Sequence, residues 1–194
     1  MNCVSYQAPF RVFCERVTWP LDIIILFDIN KTTLEYYQAI NYLNTDNEKE
    51  GLEILEKIFN SKEVDENIKT VSGLKIANEL KDTDLNKSIS IYKEIYNLKN
   101  NDLFLRNLSG LTALNLLINK NKTENYKEIE ELINSMKNPN NPLILLVNEQ
   151  EAMFEIQKGN VENGIKKLKE LLNQNIDSYM IQRINNILKI YENI

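Results

Sequence analysis

Carboxylates are the side chains in this sequence that could most readily take part in acid–base chemistry. Glu130 and Glu131 are adjacent, and Glu149 and Glu151 are two residues apart. Two carboxylates can share proton transfer only when both face one substrate, whereas neighbouring residues on a helix point to different faces. We therefore interpret these residues as solvated acids on helical surfaces.

The chain has few of the side chains that nucleophilic or metal-assisted catalysis requires. It contains no histidine, which excludes Ser–His and Cys–His pairs and every metal site that uses histidine. Its two cysteines, Cys3 and Cys14, are too few for a tetrahedral zinc site, and whether they pair stays open. The sequence has no Gly-rich phosphate loop. We predict a protein that is not an enzyme, with no catalytic residue, cofactor or metal; a helical enzyme with an unrecognised site is the alternative.

Four polar or aromatic residues are candidates for binding a protein partner: Tyr36, Arg106, Asn148 and Glu149. Arg106 and Glu149 are charged residues in apolar surroundings, at positions about one turn apart on equivalent helices. They could form an ion pair that positions the helices, or polar contacts in a peptide-binding groove. Tyr36, together with Tyr37 and Tyr42, could line the same groove, although at least one of the three could instead pack in the core.

The overall charge argues against nucleic acid as a partner. The formal net charge is −5, and no basic tract or Arg-rich helix occurs. Binding to a phosphate backbone depends on clustered Lys and Arg. We therefore predict protein partners and no nucleic acid.

Helical periodicity dominates the chain after residue 31. Only five Gly and four Pro interrupt 194 residues, too few for the many turns of an all-β fold. Apolar residues recur at spacings of three and four, and possible N-caps occur at Thr45 or Asp46, Asp84, Thr123, and Asp177 or Ser178. The predicted helices span 32–44, 48–60, 65–81, 85–98, 103–119, 124–137, 143–158, 161–174 and 178–192.

Small residues recur along these helices at intervals of 36 to 40 residues. The first helix of each pair carries Ala39, Ala77, Ala113 or Ala152, and the aligned positions of the second helices are Gly51, Ser88, Glu128 and Gly164. Small residues suit the place where two helices cross closely, and the interval is near the 34 residues of tetratricopeptide repeats. We predict an all-α, tetratricopeptide-like right-handed superhelix over 32–194, with about four helical hairpins and a C-terminal capping helix.

Residues 1–31 differ from the rest of the chain. The run from Trp19 to Phe27 is densely apolar, but Asp22 and Asp28 interrupt or end it. A membrane-spanning helix needs about 20 apolar residues, and the features of a secretory signal are missing. This segment could be the remnant of an anchor, an element packed on the repeats, or a misassigned gene start.

The repeat region resembles the tetratricopeptide-like domain of the ancillary subunit of the SecYEG translocon, a bacterial inner-membrane protein. The resemblance covers roughly 32–194, and its clearest features are Asp102 to Leu108, Asn141-Pro142 followed by Asn148-Glu149 and Ala152, and Ser178 to Arg183. It implies a non-catalytic scaffold on the periplasmic side of the inner membrane, held by an N-terminal anchor. The implied partners are the SecYEG translocon and periplasmic chaperones, bound on the concave repeat surface.

The N-terminal region departs from that family. Its apolar run is too short for the implied anchor and carries acidic residues, so membrane attachment stays open and a cytoplasmic location is the alternative. A generic tetratricopeptide adaptor in another bacterial complex is the alternative function.

Overall fold

The computed structural model describes residues 21–45, 47–99, 102–120 and 122–191, and for residues 21–30 only the course of the helix. The described residues form nine α-helices and one 3₁₀ turn, with no strand among them, which confirms the predicted all-α class. The helices are α1 (Leu21–Leu43), α2 (Glu48–Asn60), α3 (Glu66–Leu80), α4 (Leu85–Asn97), α5 (Leu103–Asn119), α6 (Tyr126–Met136), α7 (Ile144–Gln157), α8 (Val161–Leu172) and α9 (Ser178–Tyr191). The 3₁₀ turn, Thr123–Asn125, precedes α6.

The predicted helix boundaries agree closely with the structure except at the first helix. The prediction began this helix at residue 32, whereas α1 begins at Leu21 and continues through the end of the apolar run at Phe27. The expected division after residue 31 thus falls within a helix. Cys3 and Cys14 lie outside the described residues. None of the helices in the described ranges is long and apolar enough to cross a membrane.

Aspartate side chains fix the beginnings of several helices. The carboxylate of Asp84 accepts a hydrogen bond from the backbone N–H of Lys87, and Asp177 accepts two, from Tyr179 and Met180. Such caps satisfy backbone donors that have no partner within the helix. They confirm two predicted starts. At the other two, Thr123 begins a 3₁₀ turn, the Thr45 hydroxyl donates to the Tyr42 carbonyl at the end of α1, and Asp46 lies outside the described residues.

The aligned small residues form the close contacts in three of the four hairpins. A Cβ atom at Gly51 would lie 2.8 Å from the carbonyl oxygen of Ala39, and one at Gly164 would lie 2.7 Å from that of Ala152. In the second hairpin the Ser88 hydroxyl donates to the Ala77 carbonyl at 2.7 Å. The predicted burial of Ala152 and Gly164 at their helix crossing is therefore confirmed.

The third hairpin departs from the predicted alignment. Glu128 does not occupy the small-residue position; it lies towards α4, where its carboxylate pairs with Lys93. Asn125 follows Ala113 by twelve residues, the spacing that separates Ala39 from Gly51, and it is buried. In the third hairpin the residue at that spacing thus lies in the 3₁₀ turn, outside the helical alignment.

The turn between α7 and α8 carries its own polar cluster. Gly159 has a positive φ of 91°, as expected for the residue that ends α7. Burial alone would raise the pKa of Glu155. Hydrogen bonds from Asn160 and Asn163 and the charges of Lys158 and Lys167 outweigh that effect, so the pKa lies below its usual value.

Successive hairpins are joined by contacts between equivalent helices. On the second helices Lys87 of α4 pairs with Glu56 of α2 at 2.6 Å, and Lys93 of α4 pairs with Glu128 of α6. On the first helices the Gln157 amide at the end of α7 donates to the Ile118 carbonyl of α5 at 2.9 Å. These contacts join residues 31, 35 and 39 positions apart, an interval similar to that of the sequence repeat.

The buried apolar side chains form two clusters. The larger extends from α1 to α7, and the smaller joins α7, α8 and α9. In the smaller cluster α9 contributes Met180, Ile184 and Leu188, which lie on one face of that helix. The last helix is thus packed on the preceding hairpin by a regular apolar stripe.

Candidate functional site

The exposed large apolar residues are unevenly distributed over the helices. Among the side chains that the structure describes, they occur on the first helices α1, α3 and α5 and on α9, and none occurs on the second helices α2, α4, α6 and α8. We call the set on the first helices the first-helix strip: Leu34, Tyr37, Val71, Leu103, Phe104 and Leu108. Because exposed apolar area is unfavourable in water, this uneven distribution makes the first-helix strip a candidate binding surface.

Helix α5 contributes half of the first-helix strip. Phe104 is 49% exposed and Leu108, one turn later on the same face, is 36% exposed. The Asp102 carboxylate accepts a hydrogen bond from the Leu105 backbone N–H at 2.9 Å and so fixes the beginning of the helix. The two apolar side chains are therefore presented from a capped, regular helix.

Arg106 lies on α5 one turn after Leu103, next to the first-helix strip. Its side chain is half-buried, and its Nε atom is buried without a hydrogen-bond partner in the described part of the chain. A guanidinium carries five N–H donors and prefers carboxylates, which it can bind through two hydrogen bonds. Because the Nε atom is covered, a carboxylate of a polypeptide lying along α5 could reach Arg106 only through its terminal Nη groups.

The ion pair considered between Arg106 and Glu149 does not form. Glu149 instead pairs with Arg183 of α9, whose Nε and Nη2 atoms donate to the two carboxylate oxygens at 2.6 Å each. The hydrogen bond to Glu149 raises the pKa of Arg183 above its usual value. Glu149 is only 4% exposed, so this pair attaches α9 to α7 and removes the carboxylate from solvent.

The four candidate binding residues lie on three first helices. Tyr36 lies on α1, Arg106 on α5, and Asn148 and Glu149 on α7. Asn148 is half-buried. Tyr36 is half-buried too and packs against the larger core, with its ring edge-on to that of Tyr37 at a centroid distance of 5.9 Å.

Phe104 and Leu108 were not among the predicted binding residues. Each is apolar, so in the sequence it matches the pattern of a core residue. The available signal was an excess of apolar residues on α5, where they occupy more than one face of the helix. Only the packing shows which of them remain outside the core.

The outer surface of the second helices has a different chemistry. Lys127 and Glu131 of α6 form an ion pair of 3.8 Å at 88% and 69% side-chain exposure. Ion pairs also join α2 to α4 and α4 to α6. Charged side chains at such exposure are well solvated, so no bound protein is needed to cover them. The two sets of helices thus offer a polar surface and a partly apolar surface.

The clefts on the described surface are of moderate size. Four of them have volumes of about 200 to 400 Å³, and the largest of these four lies along α9. No group of three or more Cys, Asp and Glu side chains able to hold a metal ion occurs within the described ranges.

Comparisons with known proteins do not assign this chain to a family. No protein-family model, no curated protein and no solved structure matches it. The exposed first-helix strip and the chemistry of its neighbours are therefore the basis on which we assign a function.

Proposed function

We propose that this chain is a non-catalytic scaffold whose first helices hold a segment of a partner protein. The single observation that carries the proposal is the restriction of exposed large apolar residues to α1, α3, α5 and α9 among the described side chains. A randomly exposed apolar surface would be spread over both sets of helices. Here the second helices carry solvated ion pairs instead.

The first-helix strip favours a polypeptide with apolar side chains and at least one carboxylate. Phe104 and Leu108 provide apolar contact area, and exposed aromatic residues are frequent anchors in protein interfaces. Arg106 adds a cationic group beside them, and its buried Nε atom has no hydrogen-bond partner among the described residues. A helical or extended segment of a partner could use both features at once.

The tetratricopeptide-like superhelix belongs to the same proposal. Close contacts at Gly51, Ser88 and Gly164 recur in three hairpins, and contacts between equivalent helices join successive repeats. In such stacked repeats the first helices line the concave surface. The first-helix strip would then lie on that surface.

The resemblance to the ancillary translocon subunit supplies the partner class. We propose the SecYEG translocon or a periplasmic chaperone as the protein that covers the first-helix strip. Attachment to the inner membrane and a periplasmic location are parts of this same proposal. The alternative partner is a different bacterial complex bound by the same surface.

Site-specific photo-crosslinking tests the proposal. A photoreactive amino acid is placed at Phe104 on the first-helix strip and, as a matched control, at Lys127 on α6, which is 88% exposed. We expect the probe at position 104 to crosslink translocon subunits or chaperones in bacterial membranes and the probe at 127 to give none. Specific crosslinks to another complex would retain the scaffold and replace the partner. Equal crosslinking at both positions would refute the strip as the binding surface.

Substitution of Arg106 tests the polar part of the surface. Because Arg106→Ala removes the cationic group beside the first-helix strip, it should reduce partner capture several-fold while helical content stays unchanged. A charge-to-partner contact that is shielded from water is worth more than one at an exposed rim. Lys127→Ala is the control for loss of one positive charge. Normal capture by Arg106→Ala, together with reduced thermal stability, would assign Arg106 a structural role.

A further inference from the structure

The beginning of α8 contains the only Asn-Gly pair in the sequence, Asn163-Gly164. Asn163 is exposed, whereas Gly164 is buried at the crossing of α8 with α7. An asparagine that precedes glycine is especially prone to lose its side-chain amide, because glycine has no side chain to hinder attack by its backbone nitrogen and it adopts many backbone conformations. The pair is therefore a candidate for covalent modification.

The reaction joins the two residues in a ring. The Gly164 nitrogen loses its proton and attacks the side-chain carbonyl carbon of Asn163, so that a C–N bond forms and the side-chain nitrogen leaves as ammonia. Water then opens the five-membered imide at either of its carbonyl groups. The products are aspartate and isoaspartate, in which the main chain runs through the side-chain carboxyl carbon. Water is the only co-reactant that this deamidation needs.

The fold opposes this reaction in three ways. The Gly164 N–H donates to the Asn160 carbonyl at 3.0 Å, so the attacking nitrogen is held in the hydrogen bonds of the helix. The imide ring fixes rotation about the bond between the Asn163 α-carbon and its carbonyl carbon at an angle that an α-helix does not adopt. The Asn163 side-chain amide donates to the Glu155 carboxylate of α7 at 3.1 Å. Asn163 can therefore react only after the beginning of α8 unwinds.

The products fit the folded hairpin poorly. A Cβ atom at Gly164 would lie 2.4 Å from the Ile156 side chain and 2.7 Å from the Ala152 carbonyl oxygen, so α8 has no room to shift here. Isoaspartate adds one methylene to the main chain directly beside this contact. Either product also replaces the amide that donates to Glu155 with a carboxylate, and like charges at such a distance repel each other. The modified hairpin is therefore less stable than the original.

We propose that Asn163-Gly164 is a latent deamidation site that converts opening of the α7–α8 hairpin into permanent modification. While the hairpin is closed, the helix and the hydrogen bond to Glu155 protect the pair. Each opening allows the reaction, and the product then disfavours closure. Modification thus accumulates in molecules whose last hairpin has opened, and it marks them irreversibly.

Mass spectrometry on the full chain, incubated at neutral pH and physiological temperature, measures the protection. Trypsin releases residues 159–166, which contain both Asn160 and Asn163. We expect Asn163 to react at least about tenfold more slowly in the folded chain than in a synthetic peptide of the same residues or in the chain unfolded by guanidinium chloride. Asn160 is the internal control, because it precedes the β-branched Val161 and should react slowly even in the peptide. Equal rates at Asn163 in the folded chain and the peptide would overturn the proposal.

Variants that loosen the hairpin test whether opening controls the rate. Arg183→Ala releases α9 from α7, and Ala152→Leu overpacks the contact with Gly164 but keeps the Asn-Gly pair. We expect each to speed deamidation of the folded chain several-fold. Lys87→Ala, whose ion pair joins α4 to α2, is the control and should react at the wild-type rate. An unchanged rate in the two loosened variants, together with lowered stability in urea, would refute control by opening.

The stability of the modified chain tests the irreversible step. Anion exchange separates modified molecules, which carry one additional negative charge, and urea unfolding compares them with the starting protein. We expect the isoaspartate form to unfold at a lower urea concentration than the wild type. Asn163→Asp contains the normally linked product alone, so it should lie between the two. Modified chains that unfold at the wild-type midpoint would contradict the proposal.

Discussion

The ion pair between Glu149 and Arg183 is the polar contact whose loss should most affect the fold. It joins α7 to α9 across 34 residues, with both carboxylate oxygens bound. Arg183→Ala would leave the Glu149 carboxylate, 4% exposed, without its partner. An uncompensated charge in a buried position is costly because neither water nor a cation replaces the lost hydrogen bonds.

The expected cost follows from how much of the pair is buried. Removing one partner of a fully buried pair costs about 3–5 kcal/mol, but the Arg183 side chain is 41% exposed, so we expect about 2–3 kcal/mol. Lys87→Ala is the matched control, because its ion pair with Glu56 has the same 2.6 Å distance at 49% and 39% exposure. Its loss should cost less than about 1 kcal/mol.

Urea denaturation followed by circular dichroism measures both variants. Arg183→Lys should fall between the wild type and Arg183→Ala, because an ammonium keeps the charge but cannot form the two-pronged contact. A double-mutant cycle with Glu149→Gln isolates the energy of the pair from other effects of each substitution. If Arg183→Ala is no more destabilising than Lys87→Ala, the pair is effectively solvated and the reasoning is wrong.

Two further predictions concern the hairpin of α7 and α8. Gly164→Leu should cost about 1–3 kcal/mol in urea unfolding, because a Cβ there would lie 2.7 Å from the Ala152 carbonyl oxygen and would force the helices apart; an unchanged midpoint would contradict the close contact. The pKa of Glu155 is lowered in the folded chain, so its contribution to stability is present above the unfolded value of about 4.3 and is lost as pH falls through the folded value. Glu155→Gln should therefore lose less stability than the wild type between pH 7 and acid pH; equal losses would refute this.

The sequence predicted the helices well because their signals are local. Period, caps and turn residues placed eight of the nine helices to within about three residues at each end. The first helix was the exception. Its apolar run, interrupted or ended by Asp22 and Asp28, fits neither a membrane-spanning helix nor a secretory signal. The sequence therefore did not show that this run continues into the helix predicted from residue 32. The third hairpin was misaligned because the buried residue at the corresponding spacing, Asn125, lies in a 3₁₀ turn, which has no α-helical period.

The candidate site was harder to predict because it depends on what remains uncovered after packing. The charge of Glu149 could be recognised, but its partner could not, since Arg183 and Arg106 are both about one repeat away and only the path of α9 selects between them. Phe104 and Leu108 match core residues in composition. Their exposure follows from which faces of α5 its neighbours cover, and this is a property of the stacked repeats rather than of any local motif.

The proposed binding surface and the deamidation site should act independently, because they lie on different parts of the core. The first-helix strip is supported by the larger cluster, which contains α1, α3 and α5, whereas α8 packs in the smaller cluster with α7 and α9. In stacked repeats each unit contacts mainly its neighbours, so loosening the last hairpin is felt little several helices away. Arg183 secures α9 to Glu149 of α7. Its removal should thus speed deamidation at Asn163, and leave a partner bound at Phe104 in place.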